Sequence, residues 1–180
     1  GYRQVRRFWE MTIALGDDPP PEPVLPEDLR IEPFCQDLAR PFHAALDEAF
    51  AEHWEHQPEP FETWWERQIA KPDHDPSLWF LVRTDEDVVA ATRNDPERSG
   101  GGWIGAIGVR PAWRGRGLAK ALLLHSFREF HRRGLRHAGS EIGAGAEDGL
   151  GGLTEHLLKL GGRHLLVDAL DRGDLARQAL

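Results

Sequence analysis

A single α/β domain with a mixed β-sheet is predicted by three features of the 180-residue sequence. The length fits one domain with short appendages. The apolar fraction of 40% and the charged fraction of 29% are those of an ordinary globular chain. The spacing of the apolar residues changes along the chain between the strand period and the helix period, which predicts the order β, α, α, β, β, β, α, β, α, β.

In the first half of the chain, the sequence predicts strands, two helices and a β-hairpin. Alternating apolar residues predict strands at 2–15 and 29–34, and helical spacing predicts helices from 37 to about 54 and at 61–69. Asp37 is expected to cap the first of these helices, with Pro41 in its first turn. Two further apolar runs, joined by an acidic turn, predict the hairpin; they lie at 78–82 and 88–92.

The second half begins with an expected flexible turn at 94–102, which precedes a strand at 103–109. The longest helix is predicted at 116–133, because its apolar stripe is continuous and Gly134 can end it. A strand, a glycine-rich loop, a helix and a closing strand complete the chain; they lie at 137–142, 143–152, 153–160 and 165–167.

Prolines at 19, 20 and 21 mark the clearest boundary in the chain. Successive prolines flanked by charge exclude a helix or an inner strand, so residues 16–27 are predicted to form an extended linker. Residues 1–15 then form either an arm or the tail of a preceding unit, because a lone strand is not stable. Residues 28–180 form the main domain.

Cysteine usage and charge exclude several classes of protein. Cys35 is the only cysteine, which excludes a disulfide scaffold and favours a reducing cytoplasm. No signal peptide or membrane-spanning run is recognised, and the histidines lack zinc-site spacing, so neither a membrane nor a metal is expected. Residues 10–75 hold 17 acidic and four basic residues, which argues against nucleic-acid binding.

The basic segment 111–140 contains the pattern that indicates chemistry. Arg114, Gly115, Arg116 and Gly117 lie between a predicted strand and a predicted helix. Amide groups at a helix N-terminus, with glycines that allow close approach, can bind a phosphorylated cofactor. The alternative is a solvated helix face. The pattern fits neither the P-loop nor the dinucleotide-binding fingerprint.

Arg114-x-x-Gly117-x-Ala119, after a strand that ends in Gly-Val, resembles the signature of the GNAT (GCN5-related) N-acetyltransferases. The order of elements matches this family from residue 28 to about 167. The resemblance implies a mixed, splayed sheet flanked by helices, with acetyl-CoA as co-substrate and no metal. It implies that backbone groups of Ile107 and Val109 bind the pantetheine arm. It also implies that the loop and helix start surround the pyrophosphate with Arg114, Gly115, Arg116, Gly117, Leu118, Ala119 and Lys120.

Residues 6–11, followed by the proline-rich linker, resemble the end of the first unit in actinobacterial tandem acetyltransferases of the mycothiol synthase-like type. This chain would then correspond to the C-terminal unit. The strand at 1–15 would contact a preceding GNAT unit, a second copy in a homodimer, or the chain's own sheet.

The catalytic residues are less well matched than the cofactor loop. Many family members carry a tyrosine that protonates the departing thiolate, and Leu157 stands at the corresponding position here. Glu141 and His156 are the candidate catalytic residues, with solvated polar positions as the alternative. The resemblance implies acetyl transfer to a primary amine; the alternative is a degraded domain with a CoA-binding or structural role.

The acceptor is expected to be a small molecule, because the family builds its acceptor channel from the first two helices. Tryptophans in this acidic half form either core or an aromatic wall; they are Trp54, Trp64, Trp65 and Trp79. The excess of carboxylates in the same half favours a cationic acceptor.

Overall fold

The computed structural model describes residues 6–52, 56–98, 100–145 and 167–171. These residues form the strands β1 Arg6–Ala14, β2 Arg30–Pro33, β3 Phe80–Arg83, β4 Val88–Arg98, β5 Gly101–Val109, β6 His137–Gly145 and β7 Val167–Asp171. They also form the helices α1 Ala39–Phe50, α2 Phe61–Ile69 and α3 Leu118–Arg132. None of the helices in these ranges has the length and apolar character needed to cross a bilayer.

The seven strands form one mixed sheet, which confirms the predicted α/β architecture. The strand order is β2-β3-β4-β5-β6-β1-β7. Every neighbouring pair is antiparallel except β5 and β6, which run parallel. Helix α3 lies in the connection between β5 and β6, because parallel neighbours require a crossover.

The sheet splays open between β5 and β6. The two strands pair only through residues 102–104 and 138–140. Beyond Ile104, β5 continues along β4 to Val109, whereas β6 continues along β1. One edge of β5 therefore lacks a described strand neighbour over its last five residues, and this opening positions the functional site.

Helix α3 packs closely against the start of β5. A Cβ atom at Gly102 would lie 2.5 Å from the ring of Phe130, which is fully buried. Only glycine therefore allows this approach of helix to strand. The close packing fixes the distance between α3 and the sheet just before the strands diverge.

The N-terminal strand β1 lies inside the sheet. It pairs with β6 from Arg6 to Ala14 and with β7 from Trp9 to Ile13. Met11, Ile13 and Leu15 are at most 3% exposed and belong to the main core with side chains of α1 and α3. Residues 6–14 thus form the strand that their alternation predicts, and in this chain the strand pairs within its own sheet.

The proline-rich linker crosses α3. The backbone carbonyl of Pro20 accepts a hydrogen bond from Arg128, and that of Gly16 accepts one from Arg136 at 2.9 Å. Arg128 also pairs with Glu22. The basic face of α3 and the segment after it therefore hold the linker in place, in addition to any role in ligand binding.

The expected flexible turn at 94–102 is wrong, because β4 and β5 extend through most of it. Asn94 is fully buried, and its side-chain amide donates to the carbonyl of Leu78 at 2.7 Å and to the hydroxyl of Ser126 at 2.9 Å. Its side-chain oxygen accepts from Thr92. These bonds satisfy a polar residue inside the sheet, where the sequence pattern favoured a turn.

Several predicted boundaries also differ. Asp37 does not cap α1, because residues 36–38 form a 3₁₀ turn and the helix begins at Ala39. Helix α1 ends at Phe50 rather than near residue 54, and β6 runs to Gly145 instead of ending at 142. The closing strand begins at Val167, where the predicted one ends. The predicted helix at 153–160 lies outside the described residues.

The interior position of β1 makes Ile13 a test of the fold. Ile13→Ala is expected to lower the free energy of unfolding by about 2–5 kcal/mol, because it leaves a cavity in a buried site. Thr12→Ala on the same strand is the control, since Thr12 is only half-buried. Chemical denaturation measures both, and equal effects would show that β1 is not an inner strand.

Candidate functional site

The open edge of β5 presents two peptide units to the splay. The amide of Arg110 donates to the carbonyl of Val89 at 3.0 Å, so position 110 is hydrogen-bonded to β4. In an antiparallel pair, successive residues alternate between bonding to the partner and facing away. With the register of β4 and β5, the N–H and C=O groups of Ile107 and Val109 face away from β4. These are the two residues that the resemblance assigns to a pantetheine arm.

The loop after β5 ends at the first turn of α3. Gly115 and Gly117 have φ values of 76° and 80°, which favour glycine, and Gly117 is the N-cap of α3. No side chain caps the helix, and a Cβ atom at either glycine would have no neighbour within 4 Å. The first-turn amides of α3 therefore face an open loop, where the helix dipole favours an anion.

A cleft of about 360 Å³ joins the β5 edge to this loop. It is lined by Ala49, Phe50, Ile107, Gly108, Val109, Trp113, Arg114, Gly115, Gly117, Leu118, Ala119 and Lys120. All the residues predicted to bind the cofactor line the cleft, with the exception of Arg116. The binding itself stays a prediction, whereas the residues do lie together.

The two arginines of the loop make contacts within the protein. Arg114 donates to the carbonyl of Ala49 at 3.0 Å and pairs with Glu52 at 2.7 Å, which ties the loop to the end of α1. The guanidinium of Arg116 lies 4.5 Å from the ring centre of Trp113. Sequence reasoning assigned both arginines to the ligand and missed these contacts, which bring together segments distant in the chain.

A second cavity, of about 270 Å³, lies between α1, α2 and the middle of β4. It is lined by His43, Leu46, Asp47, Phe50, His56, Gln57, Glu59, Trp64, Arg67, Gln68, Arg93 and Ala106. Phe50 lines both the cavity and the cleft, and Ala106 of the cavity adjoins Ile107 of the cleft. The two spaces therefore meet at the end of α1.

Charged groups of both signs face this second cavity. Arg67 pairs with Glu59, and Arg93 pairs with Asp95 at 2.9 Å. Asp47 is paired differently, with Nε2 of His56 at 3.0 Å. Burial lowers the pKa of His43, which favours its neutral form.

The predicted aromatic residues divide between core and cavity wall. Trp79 is 2% exposed and packs in the main core. Trp64 belongs to the same core and also lines the cavity, while Trp65 is partly buried beside it. Trp54 lies outside the described residues.

The catalytic roles of Glu141 and His156 stay predictions. Glu141 lies on β6, opposite Glu10 of β1 in the strand register. His156 and Leu157 lie outside the described residues. Within the described part of the chain, no group of three histidine, cysteine, aspartate or glutamate residues is placed to hold a metal ion.

The family model of the acetyltransferase (GNAT) family matches residues 33–144. This match covers more than half of the chain and includes β5, the loop and α3. The chain belongs to the GNAT acetyltransferase family. Transfer of an acyl group is the activity of the family, and the cleft holds its signature residues.

Curated relatives and a solved structure of high similarity support this membership. A mycothiol acetyltransferase from Thermobifida fusca is 29% identical over 160 residues, which cover 75% of this chain and 48% of the relative. A GCN5-related N-acetyltransferase structure from Sphaerobacter thermophilus is 34% identical with a TM-score of 0.77; the match covers 94% of this chain and 50% of that one. The chain thus spans about half the length of the curated relatives it matches.

A GNAT acetyltransferase from Brucella melitensis, solved in complex with acetyl-CoA, shares the fold. Its TM-score is 0.58 at 18% identity, and the match covers 79% of this chain and 88% of that chain. At this identity the likeness concerns the GNAT fold alone.

Gly117 allows a test of the loop as an anion site. Gly117→Ala and Gly134→Ala each place a side chain at φ near 80° with no neighbour for the new Cβ, so each is expected to cost about 1–2 kcal/mol of stability. Only Gly117→Ala is expected to weaken CoA binding, by about tenfold, because only Gly117 lines the cleft.

Thermal unfolding and calorimetry with CoA measure the two effects. Gly134→Ala, at the opposite end of α3, controls for backbone strain. Equal CoA affinity in the two variants would contradict an anion site at this loop.

Proposed function

We propose that this chain is an acetyl-CoA-dependent N-acetyltransferase that transfers an acetyl group to the primary amine of a small, cationic acceptor. The observation that carries the proposal is the junction of the two spaces at Phe50. One space has the signature loop of the family, and the other has polar groups suited to a small molecule. A thioester in the first would lie beside an amine in the second.

The cofactor part of the proposal rests on backbone groups. The outward-facing peptide units of Ile107 and Val109 can pair with the amides of a pantetheine chain, as an added strand would. The first-turn amides of α3 and the side chain of Lys120 suit a pyrophosphate. An outward-facing N–H of β5 can also polarise the thioester carbonyl as negative charge develops on its oxygen.

The acceptor part rests on the pairing of charges in the cavity. Glu59 and Arg93 each have a partner of opposite charge, which leaves their ends of the cavity nearly neutral. Asp47 is paired with a histidine. A cationic amine is therefore attracted most strongly to the Asp47 end, which is also the end nearer Phe50.

The names of the relatives narrow the set of acceptors to be tested. The curated relatives are mycothiol acetyltransferases, so the acceptor of those enzymes is the first member of a test panel. The panel also includes a peptide N-terminus, an amino sugar and a neutral amine. A cytoplasmic location, which the lone Cys35 favours, is part of the same proposal.

The second candidate function is a GNAT domain that binds CoA without efficient catalysis. Leu157 favours it, because leucine cannot donate a proton to the thiolate. Thiolate is a fairly good leaving group, so the loss of this acid slows the transfer without preventing it. Residues 1–15 also keep open a contact with a preceding unit or a second copy, which light scattering of the purified chain measures.

Calorimetry with CoA tests the cofactor cleft. Arg114→Ala is expected to weaken binding by about 10- to 150-fold, the loss for a charge-assisted hydrogen bond of about 1.5–3 kcal/mol, and Arg116→Ala by less, because Arg116 does not line the cleft. Arg132→Ala is the control, because Arg132 lies at the far end of α3 and is highly exposed. Unchanged affinity in the Arg114→Ala/Arg116→Ala double variant would remove the assignment.

Release of the CoA thiol in the presence of the amine panel tests catalysis. The cationic acceptors are expected to react faster than the neutral amine, and raised ionic strength is expected to reduce this difference, because salt screens the attraction. CoA binding without turnover of any amine would favour the second candidate function.

A further inference from the structure

One face of α1 connects the acceptor cavity with the cofactor cleft. Leu46 and Asp47 lie three and four residues after His43, and Phe50 lies four and three residues after them, so the four side chains share one side of the helix. The first three line the cavity, and Phe50 lines both spaces. Distance along α1 therefore measures the distance from the junction.

Asp47 lies closer to the junction than His43. At a rise of about 1.5 Å per residue, Asp47 is about 4.5 Å from the level of Phe50, whereas His43 is about 10.5 Å from it. Nε2 of His56 lies 3.0 Å from Oδ1 of Asp47, and the side chain of His56 is 18% exposed. A histidine and a carboxylate thus meet at the end of the cavity that faces the cleft.

We propose that His56 is the catalytic base that takes the proton of the acceptor ammonium, and that the nearby carboxylate of Asp47 stabilises its protonated form. This inference rests on the proposed function. It assigns a role to two residues that neither the family signature nor the sequence pattern singled out.

The chemistry of the pair suits this role. Oδ1 of Asp47 lies 3.0 Å from Nε2 of His56 without hydrogen-bond geometry, so its negative charge acts on the ring through proximity. A carboxylate beside an imidazole stabilises the imidazolium that forms. Imidazole also titrates near neutral pH, which is the range in which a general base is most effective.

Other charged and titratable groups face the same cavity from each element packed against it. They are His43 and Asp47 of α1, Glu59 of the segment before α2, Arg67 of α2 and Arg93 of β4. Arg67 is neutralised by Glu59, and Arg93 is neutralised by Asp95. The charge that acts most directly on His56 is therefore that of Asp47.

His43 serves as a comparison within the cavity. Its ring centre lies 4.8 Å from that of Trp64 and 5.8 Å from that of Phe61. Burial lowers its pKa, so its neutral form is favoured, yet it lies more than one turn of α1 farther from Phe50. Distance from the junction thus distinguishes the two histidines.

The transfer step balances with one base and one leaving thiol. His56 takes a proton from the ammonium, and the nitrogen lone pair then forms the C–N bond with the thioester carbonyl carbon. The tetrahedral intermediate collapses as the C–S bond breaks. The second proton of the nitrogen goes to the departing sulfur, which gives the CoA thiol, and His56 releases its proton to water. The net products are an amide, CoA and one proton.

The test compares His56→Gln with His131→Gln in the full chain. His131 lies at the C-terminal end of α3, bonds the carbonyl of Asp17 and lines neither space. The value of kcat/KM for a cationic amine is measured from about pH 6 to 9, and CoA affinity is measured by calorimetry in every variant. For the unsubstituted chain, kcat/KM is expected to rise with pH, because a general base acts only in its deprotonated form. His56→Gln is expected to lower kcat by about 100-fold or more near neutral pH and to abolish this rise, whereas His131→Gln is expected to stay within about threefold and to keep it.

Asp47→Asn adds a signature that packing alone does not produce. Asp47→Asn removes the negative charge beside His56, whereas Asp47→Glu keeps it, so kcat is expected to be lower in Asp47→Asn than in Asp47→Glu. CoA affinity is expected to be unchanged in both variants.

The outcomes separate this inference from the proposed function. Failure of the unsubstituted chain to bind CoA overturns the proposed function and the inference together. If His56→Gln keeps kcat within about threefold of the value for the unsubstituted chain and shows the same pH profile, the inference is overturned and the proposed function stands. An effect of His131→Gln as large as that of His56→Gln also overturns it, because the loss would then not depend on a histidine in the cavity.

Discussion

The short pairing between β5 and β6 is the constraint on which the functional part of this molecule depends. The two strands remain neighbours for three residues each and then separate. A continuous sheet would bury both edges of β5 in hydrogen bonds and leave no peptide group for a ligand. Because β6 leaves the edge of β5 after residues 102–104, the peptide groups of Ile107 that face away from β4 have no described strand partner, while the carbonyl of Val109 accepts from Nε of Arg114 at 3.4 Å. The cleft that continues from the end of β5 to the loop depends on this separation.

The sheet remains stable despite the splay because other contacts hold its two halves. Buried Asn94 joins β4 to α3 and to the turn before β3 through hydrogen bonds to Ser126 and Leu78. Beyond β6, the inserted β1 adds two antiparallel pairings and the buried side chains of Met11 and Ile13. Arg114 closes the open side by joining the loop to α1 through Glu52 and the carbonyl of Ala49. Within the described residues, specific contacts therefore hold the strands on both sides of the opening.

The sequence was sufficient for the features that depend on local patterns. Three local patterns predicted the strand, loop and helix of the cleft. They are the small and apolar residues at 103–109, the glycines at 115 and 117, and the apolar stripe of α3. The prediction of a turn at 94–102 was wrong. Its polar residues and glycines favour a loop, whereas the burial of Asn94 depends on hydrogen-bond partners 16 and 32 residues away. The contact of His56 with Asp47 and the contacts of Arg114 likewise join separate segments, and no periodicity indicates such pairs.

The interior position of β1 has a consequence for the order in which the sheet is assembled. Its partner β6 follows roughly 120 residues later in the chain, and its other partner β7 is later still. During synthesis on the ribosome, Met11 and Ile13 therefore emerge long before the strands that cover them. An unpaired apolar strand can associate with other chains. The segment that follows β1 has charged residues and five prolines without an amide donor, features that disfavour association of this region with other strands.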